Sequence, residues 1–205
     1  VQLFRAFWEF SKHLFFTSIL QWFSGNYFIV FATGVLGPLA IGVIRIAQNL
    51  MGVLHILFLA LENLIPIQAS KILTNKGKEP TLNFFKKMTL KTGLMTLLIL
   101  MLISVFRGPI IEAVYGAEYL IYDYIIVGFA VIYIFIFLGT ILRFVIRTFE
   151  ENRIVLENYI ITGLFSFLTA GFFVANYQLN GVLVGLLLVQ VVSLFYMLIR
   201  LATKL

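Results

Sequence analysis

Residues 38–67 read PLAIGVIRIAQNLMGVLHILFLALENLIPI, an apolar run that nevertheless carries Arg45, Gln48, Asn49, His55, Glu62 and Asn63. At about 100° per residue, these polar residues share one arc of a helix with Gly42, Gly52 and Pro66. The opposite arc is Val43, Ala47, Leu50, Leu54, Leu57, Leu61 and Ile65. The run is longer than the roughly 20 residues that cross a bilayer, so it reads as a membrane helix with an apolar back and a polar front. Counted from Pro38 at about 1.5 Å per residue, Arg45 lies roughly 10 Å along the helix and His55 roughly 25 Å. Both are at membrane depth. An arginine there costs at least about 2.5 kcal/mol, so it needs water, a carboxylate or an anionic ligand. A hydrated cavity provides for all of these.

The rest of the chain fits a membrane setting. Of 205 residues, 61% are hydrophobic and 12% charged, against about 25% charged in a soluble domain. A water-soluble fold of this size could not cover that much apolar surface, so the bilayer is the solvent. Apolar runs at about 14–34, 39–67, 92–106, 122–142, 159–175 and 182–199 predict a single all-α integral membrane unit over 1–205, a bundle of six transmembrane helices. The third run is the shortest, and its amphipathic lead-in from Thr81 to Lys91 extends it as one helix. The formal charge of +6 is spread between the apolar runs rather than gathered on one face, so no nucleic-acid partner is expected. The absence of cysteine excludes disulfides and thiolate metal sites. The chain opens at Val1 with no small-residue cleavage site after it, which reads as the continuation of a longer protein rather than a signal peptide.

Turn chemistry divides the runs. Gly37-Pro38 makes a tight hairpin of the first two helices, since proline's missing N–H costs nothing in a first helical turn. Asn75, Gly77 and Pro80 break the chain again, Gly108-Pro109 and Gly116 bracket a short helical segment, and a few polar residues around Asn176 to Asn180 join the last two helices. With the amino end inside, the cytoplasmic segments hold Arg5, Lys12, Lys71, Lys76, Lys78, Lys86, Lys87, Lys91, Arg143, Arg147, Arg153, Arg200 and Lys204. The outer segments hold Arg107 with Glu112, Glu118 and Asp123. That bias places both termini in the cytoplasm and requires an even number of crossings. Tyr115, Tyr119, Tyr122 and Tyr124 suit the outer headgroup layer as anchors. The lysines beside Phe84 and Phe85 suit anionic inner-leaflet lipids.

Each polar residue also has an ordinary structural role open to it. Arg45 can snorkel to the headgroups or pair with Asp123, His55 can bond a neighbouring helix, and Glu62 can be solvated near the inner surface. What exceeds those roles is the shared face. Gln21 is placed to face the same cavity from the first helix. Ser24 and Gly25, then Asn158, Thr162, Ser166 and Thr169, and Gly181 with Gly185 four residues on, read as packing groups. Arg147 with Glu151, and Arg153 with Glu157, each four apart, read as ion pairs on a solvated helix extension. Neither His13 nor His55 has a second histidine or a carboxylate at metal-ligand spacing, and there is no glycine-rich phosphate loop. No metal, cofactor or enzymatic activity is expected.

The hairpin LGPLAIGVIRIAQNL, the proline of LENLIPIQAS, the segment IIEAVYGAEYL and the late NGVLVG occur in this order over nearly the whole chain. In this the sequence resembles polysaccharide flippases of the multidrug/oligosaccharidyl-lipid/polysaccharide exporter superfamily, and in particular their C-terminal half. The resemblance implies two similar six-helix lobes facing a central cavity, of which this chain supplies one. The other would be a missing N-terminal lobe or a second copy. It further implies export of undecaprenyl-diphosphate-linked oligosaccharide across the bacterial inner membrane by alternating access, with cationic residues holding the diphosphate. Arg45 suits that role by chemistry, His55 assists or titrates, and Gln48, Asn49 and Gln21 complete the candidate cavity. Glu62 and Asp123 are the carboxylates available for coupling or gating. A cation-coupled drug exporter of the same superfamily would call for an acidic cavity, and the net-positive stripe argues against it. A membrane scaffold subunit without transport would instead pair Arg45 permanently with a partner helix.

Overall fold

A computed structural model of the chain describes the backbone of residues 2–204, and the side chains of Phe15 and of residues 17–204. Arg5, Lys12 and His13 therefore lie outside the described side chains. The elements are α1 (Gln2–Leu36), α2 (Pro38–Lys76), α3 (Lys78–Val105), the short α4 (Arg107–Tyr115), a 3-10 turn (Ala117–Tyr122), α5 (Tyr124–Thr148) and α6 (Asn152–Ala202). There is no strand among the described residues. Five helices, α1, α2, α3, α5 and α6, are long and apolar enough to cross a membrane. Large apolar side chains such as Ile56, Leu90 and Leu168 stand 71%, 77% and 74% exposed. In water that surface would be untenable; in lipid it is the ordinary outside of a bundle.

The chain reverses where glycine allows it. Gly37 (φ 80°), Gly77 (φ 83°) and Gly116 (φ 103°) hold left-handed backbone that a Cβ would strain. Gly77 also donates its N–H to the Leu73 carbonyl at 3.0 Å, closing α2. Of the expected breakers Asn75, Gly77 and Pro80, only Gly77 breaks the helix, and α3 runs unbroken from Lys78 through the lead-in. A further reversal at 149–151 uses Glu150 (φ 61°), with Glu151 N–H on the Ile146 carbonyl.

The sequence predicts separate helices at 159–175 and 182–199. The structure has one element, α6, whose backbone leaves helical dihedrals only at Gln178 (φ 49°, ψ −128°). The chain doubles back there. Asn158 Nδ2 donates to Ser193 Oγ at 3.0 Å, and Arg200 reaches Glu157 at 3.1 Å, partners that lie 35 and 43 residues apart. A straight helix would hold them more than about 50 Å apart. The two arms of α6, 152–177 and 179–202, are thus antiparallel.

Small residues let the arms close on each other and let α1 in against the second arm. A Cβ on Gly181 would sit 1.9 Å from the Phe173 carbonyl oxygen, and one on Gly185 would sit 2.0 Å from the ring of Phe28, which is 1% exposed. A polar seam runs beside this contact. Ser24 Oγ and Thr162 Oγ1 are 2.6 Å apart, Thr162 bonds the Asn158 carbonyl, and Ser166 bonds the Ser24 carbonyl. These groups pack helices, as their spacing suggests. Replacing Asn158 with alanine is expected to lower stability by about 1 kcal/mol, read as a reduced unfolding midpoint in detergent.

The reversals sort the charges by end. Gly37, α4, the 3-10 turn and Gln178 lie at one end with Tyr115, Tyr119, Tyr122 and Tyr124. There, Arg107 Nε bonds Asp123 Oδ2 at 2.8 Å and Arg107 Nη1 bonds the Ser104 carbonyl. Gly77, residues 149–151 and the carboxyl end lie at the other, with most of the lysines and arginines. At that end Glu151 pairs with Lys204 at 3.4 Å rather than with Arg147, while Arg153 does pair with Glu157 at 2.9 Å.

Candidate functional site

The back of α2 is the buried face, as its periodicity requires. Val43, Ala47, Leu54, Leu61 and Ile65 are buried against α3 and α5, whereas Arg45, Asn49, His55 and Asn63 stand open and Gln48 and Glu62 half-open. Among the described residues this front is largely open, with Glu62 reached by Arg147 of α5 and His55 facing α1, α5 and α6.

Between that front and its neighbours lies a polar cleft of about 490 Å³. Gln21 and Trp22 come to it from α1, His55 from α2, Arg143 from α5, and Tyr159 and Gln190 from the two arms of α6. Asn158 stands in its wall, 2% exposed, with Nδ2 on Ser193 and Oδ1 without a hydrogen-bond partner. A narrower extension of about 160 Å³ shares Gln21, His55, Arg143 and Tyr159 and leads to Glu62 and Arg147. Glu62 and Arg147 are ion-paired across the gap between α2 and α5. They close the cleft towards the basic end. Each side chain of the pair is 41% exposed. In a double-mutant cycle, Glu62→Gln and Arg147→Gln are expected to couple by less than about 1 kcal/mol, measured by unfolding in detergent.

Arg143 is the residue that sequence reasoning missed. An apolar run ending at Leu142 places it in a cytoplasmic segment. The helix instead continues through Phe144, Val145 and Ile146, all buried, and carries the guanidinium into the cleft. The continued apolar run after position 143 was the available signal. Arg143 Nη2 donates to Thr140 Oγ1 at 2.7 Å, and among the described residues no carboxylate pairs with it. A guanidinium in such a cleft, with only Thr140 as its side-chain partner among the described residues, is chemically suited to an oxyanion, above all a phosphate that it can grip with two bonds.

The structure brings together Gln21, His55 and Glu62 of the expected site, but not the others. Arg45, Gln48 and Asn49 share the open face of α2 and lie about 10–15 Å from His55 toward the α1–α2 turn, outside the cleft. Arg45 Nη1 bonds Gln48 Oε1 at 3.2 Å and pairs with no carboxylate among the described residues. Asp123 is at the tyrosine-rich end, engaged by Arg107 rather than by Arg45. No group of His, Asp and Glu suited to a metal occurs among the described residues. No protein-family model, curated protein or solved structure matches the chain.

Proposed function

We propose that this chain is a six-crossing lobe of a membrane transporter, each arm of α6 counting as one crossing, and that its cleft receives the anionic head of a lipid-linked substrate. The fuller form of this reading is export of undecaprenyl-diphosphate-linked oligosaccharide across the bacterial inner membrane by alternating access. The observation that carries it is Arg143, a guanidinium with no carboxylate partner among the described residues, in a cleft lined by α1, α2, α5 and α6 beside the largely open polar face of α2. A face of that kind exposed to lipid costs several kcal/mol. A second lobe, from the same chain or a second copy, removes that cost and encloses the cavity. The concentration of lysine and arginine at one end supports the cytoplasmic placement of both termini. An acidic cavity for a cationic drug finds less support, because Glu62 is already neutralised by Arg147.

In this reading Arg143 grips the diphosphate, His55 and Gln21 contribute further donors, and the lipid tail stays in the bilayer. Arg45, farther along the same face, takes up the charge as the headgroup moves. Trp22 lines the cleft and is one of two tryptophans in the chain. With Trp8→Phe as background, its fluorescence reports occupancy. Undecaprenyl diphosphate is expected to change the signal saturably in detergent, and Arg143→Ala to abolish the change. A response that is absent, or identical with and without Arg143, would overturn the assignment.

A further inference from the structure

On the far side of the bundle from the cleft, α3 and α5 run antiparallel with a crevice between them. It is lined by two adjoining hollows of about 500 Å³ and 280 Å³, which share Thr89 and Leu90. The floor is where Gly93 meets Phe137, since a Cβ on Gly93 would stand 3.2 Å from that ring. The outer wall is Leu90, Leu94 and Leu97, all exposed. The crevice starts at Leu82 and Phe85, and Lys86 stands about one helical turn in from that basic end, with Lys87 next in the chain. Both are exposed, and neither is ion-paired among the described residues.

We propose that this crevice binds one anionic glycerophospholipid, with an acyl chain along Leu90, Gly93 and Leu97 and the phosphate held by Lys86. Length selects the occupant. The part of the crevice beyond Lys86, from there to Leu97, runs about 16 Å along the helix axis, which is one leaflet of a hydrocarbon core about 30 Å thick. A transmembrane helix of a partner would follow α3 on to Val105, and the crevice ends well before it. Charge complementarity points the same way, because the only ionic group in the lining is that lysine. The site is separate from the cleft and does not depend on what the cleft carries.

The test is native mass spectrometry of the full chain after equilibration with mixed micelles of phosphatidylglycerol and phosphatidylcholine. One phosphatidylglycerol per chain is expected to remain bound in preference to phosphatidylcholine. Lys86→Gln is expected to weaken phosphatidylglycerol retention about fivefold and to leave phosphatidylcholine retention unchanged. Thr89→Phe, which fills the crevice, is expected to abolish retention of both. Leu94→Trp on the exposed wall gives the same reading without touching the Gly93–Phe137 contact. Retention that ignores the headgroup and all three substitutions would overturn the proposal, as would a dimer whose formation Thr89→Phe prevents.

Discussion

Gly181→Ala is expected to be the most damaging small substitution in the chain, lowering stability by about 3 kcal/mol. The added methyl carbon would lie 1.9 Å from the carbonyl oxygen of Phe173 and 2.5 Å from its carbon, both backbone atoms of the opposing arm of α6. No rotamer change relieves that contact; the arms have to separate. Separation also breaks the Asn158–Ser193 bond and uncouples Glu157 from Tyr196 and Arg200. The expected result is a lowered unfolding midpoint in detergent together with new proteolysis near Gln178. Gly185→Ala makes the informative contrast. Its methyl would meet the ring of Phe28, a side chain rather than backbone, so Phe28→Leu is expected to restore much of the loss. The same second substitution should leave Gly181→Ala unimproved. Equal rescue of both would show that the arms are not packed as described.

Arg143→Ala is expected to have the largest effect on function, weakening binding of a diphosphate headgroup by 10-fold to 100-fold while leaving membrane insertion intact. The range corresponds to one charge-assisted, two-bonded contact in a site of low dielectric, about 1.5–3 kcal/mol. Arg143→Lys keeps the charge and loses the fork, so it should recover part of the affinity and none of the preference for diphosphate over monophosphate. Arg45→Ala is expected to act differently. Its side chain is about 15 Å away along α2, so equilibrium binding in the cleft should change little while movement of the substrate across the membrane stops. Titration of Trp22 fluorescence separates the two, and a vesicle assay with a labelled undecaprenyl-diphosphate oligosaccharide measures the movement. Loss of cleft binding on Arg45→Ala equal to that on Arg143→Ala would contradict the order of contacts.

The parts of the fold that were legible in the sequence are those set by local chemistry. Gly37, Gly77 and Gly116 end helices because their backbone angles suit glycine, and Gly181 and Gly185 are both close-packed, the first against the opposing arm of α6 and the second against Phe28 of α1. The two faces of α2 follow from a period of 3.6 and are found as expected, with the apolar side buried and the polar side open. Long-range pairing was not legible. Arg147 has a carboxylate four residues on, yet its partner is Glu62, 85 residues earlier, because the turn at Glu150 takes Glu151 away to Lys204. Asp123 suits Arg45 on charge alone, but Arg107 stands next to it once the 3-10 turn folds the chain back. Arg143 was hidden by the habit of ending a membrane segment at its first charge. A charge that the apolar run continues past belongs to the interior.

The doubled form of α6 bears on how the protein enters its membrane. Asn158 is satisfied by Ser193, and Glu157 by Tyr196 and Arg200, so each arm holds the polar partners of the other. An arm released into lipid by itself would leave Asn158 without Ser193, and Tyr196 and Arg200 without Glu157, while Glu157 would keep Arg153 of its own arm. Delivery of 152–177 and 179–202 together, as a hairpin, keeps those inter-arm partners in reach of one another throughout.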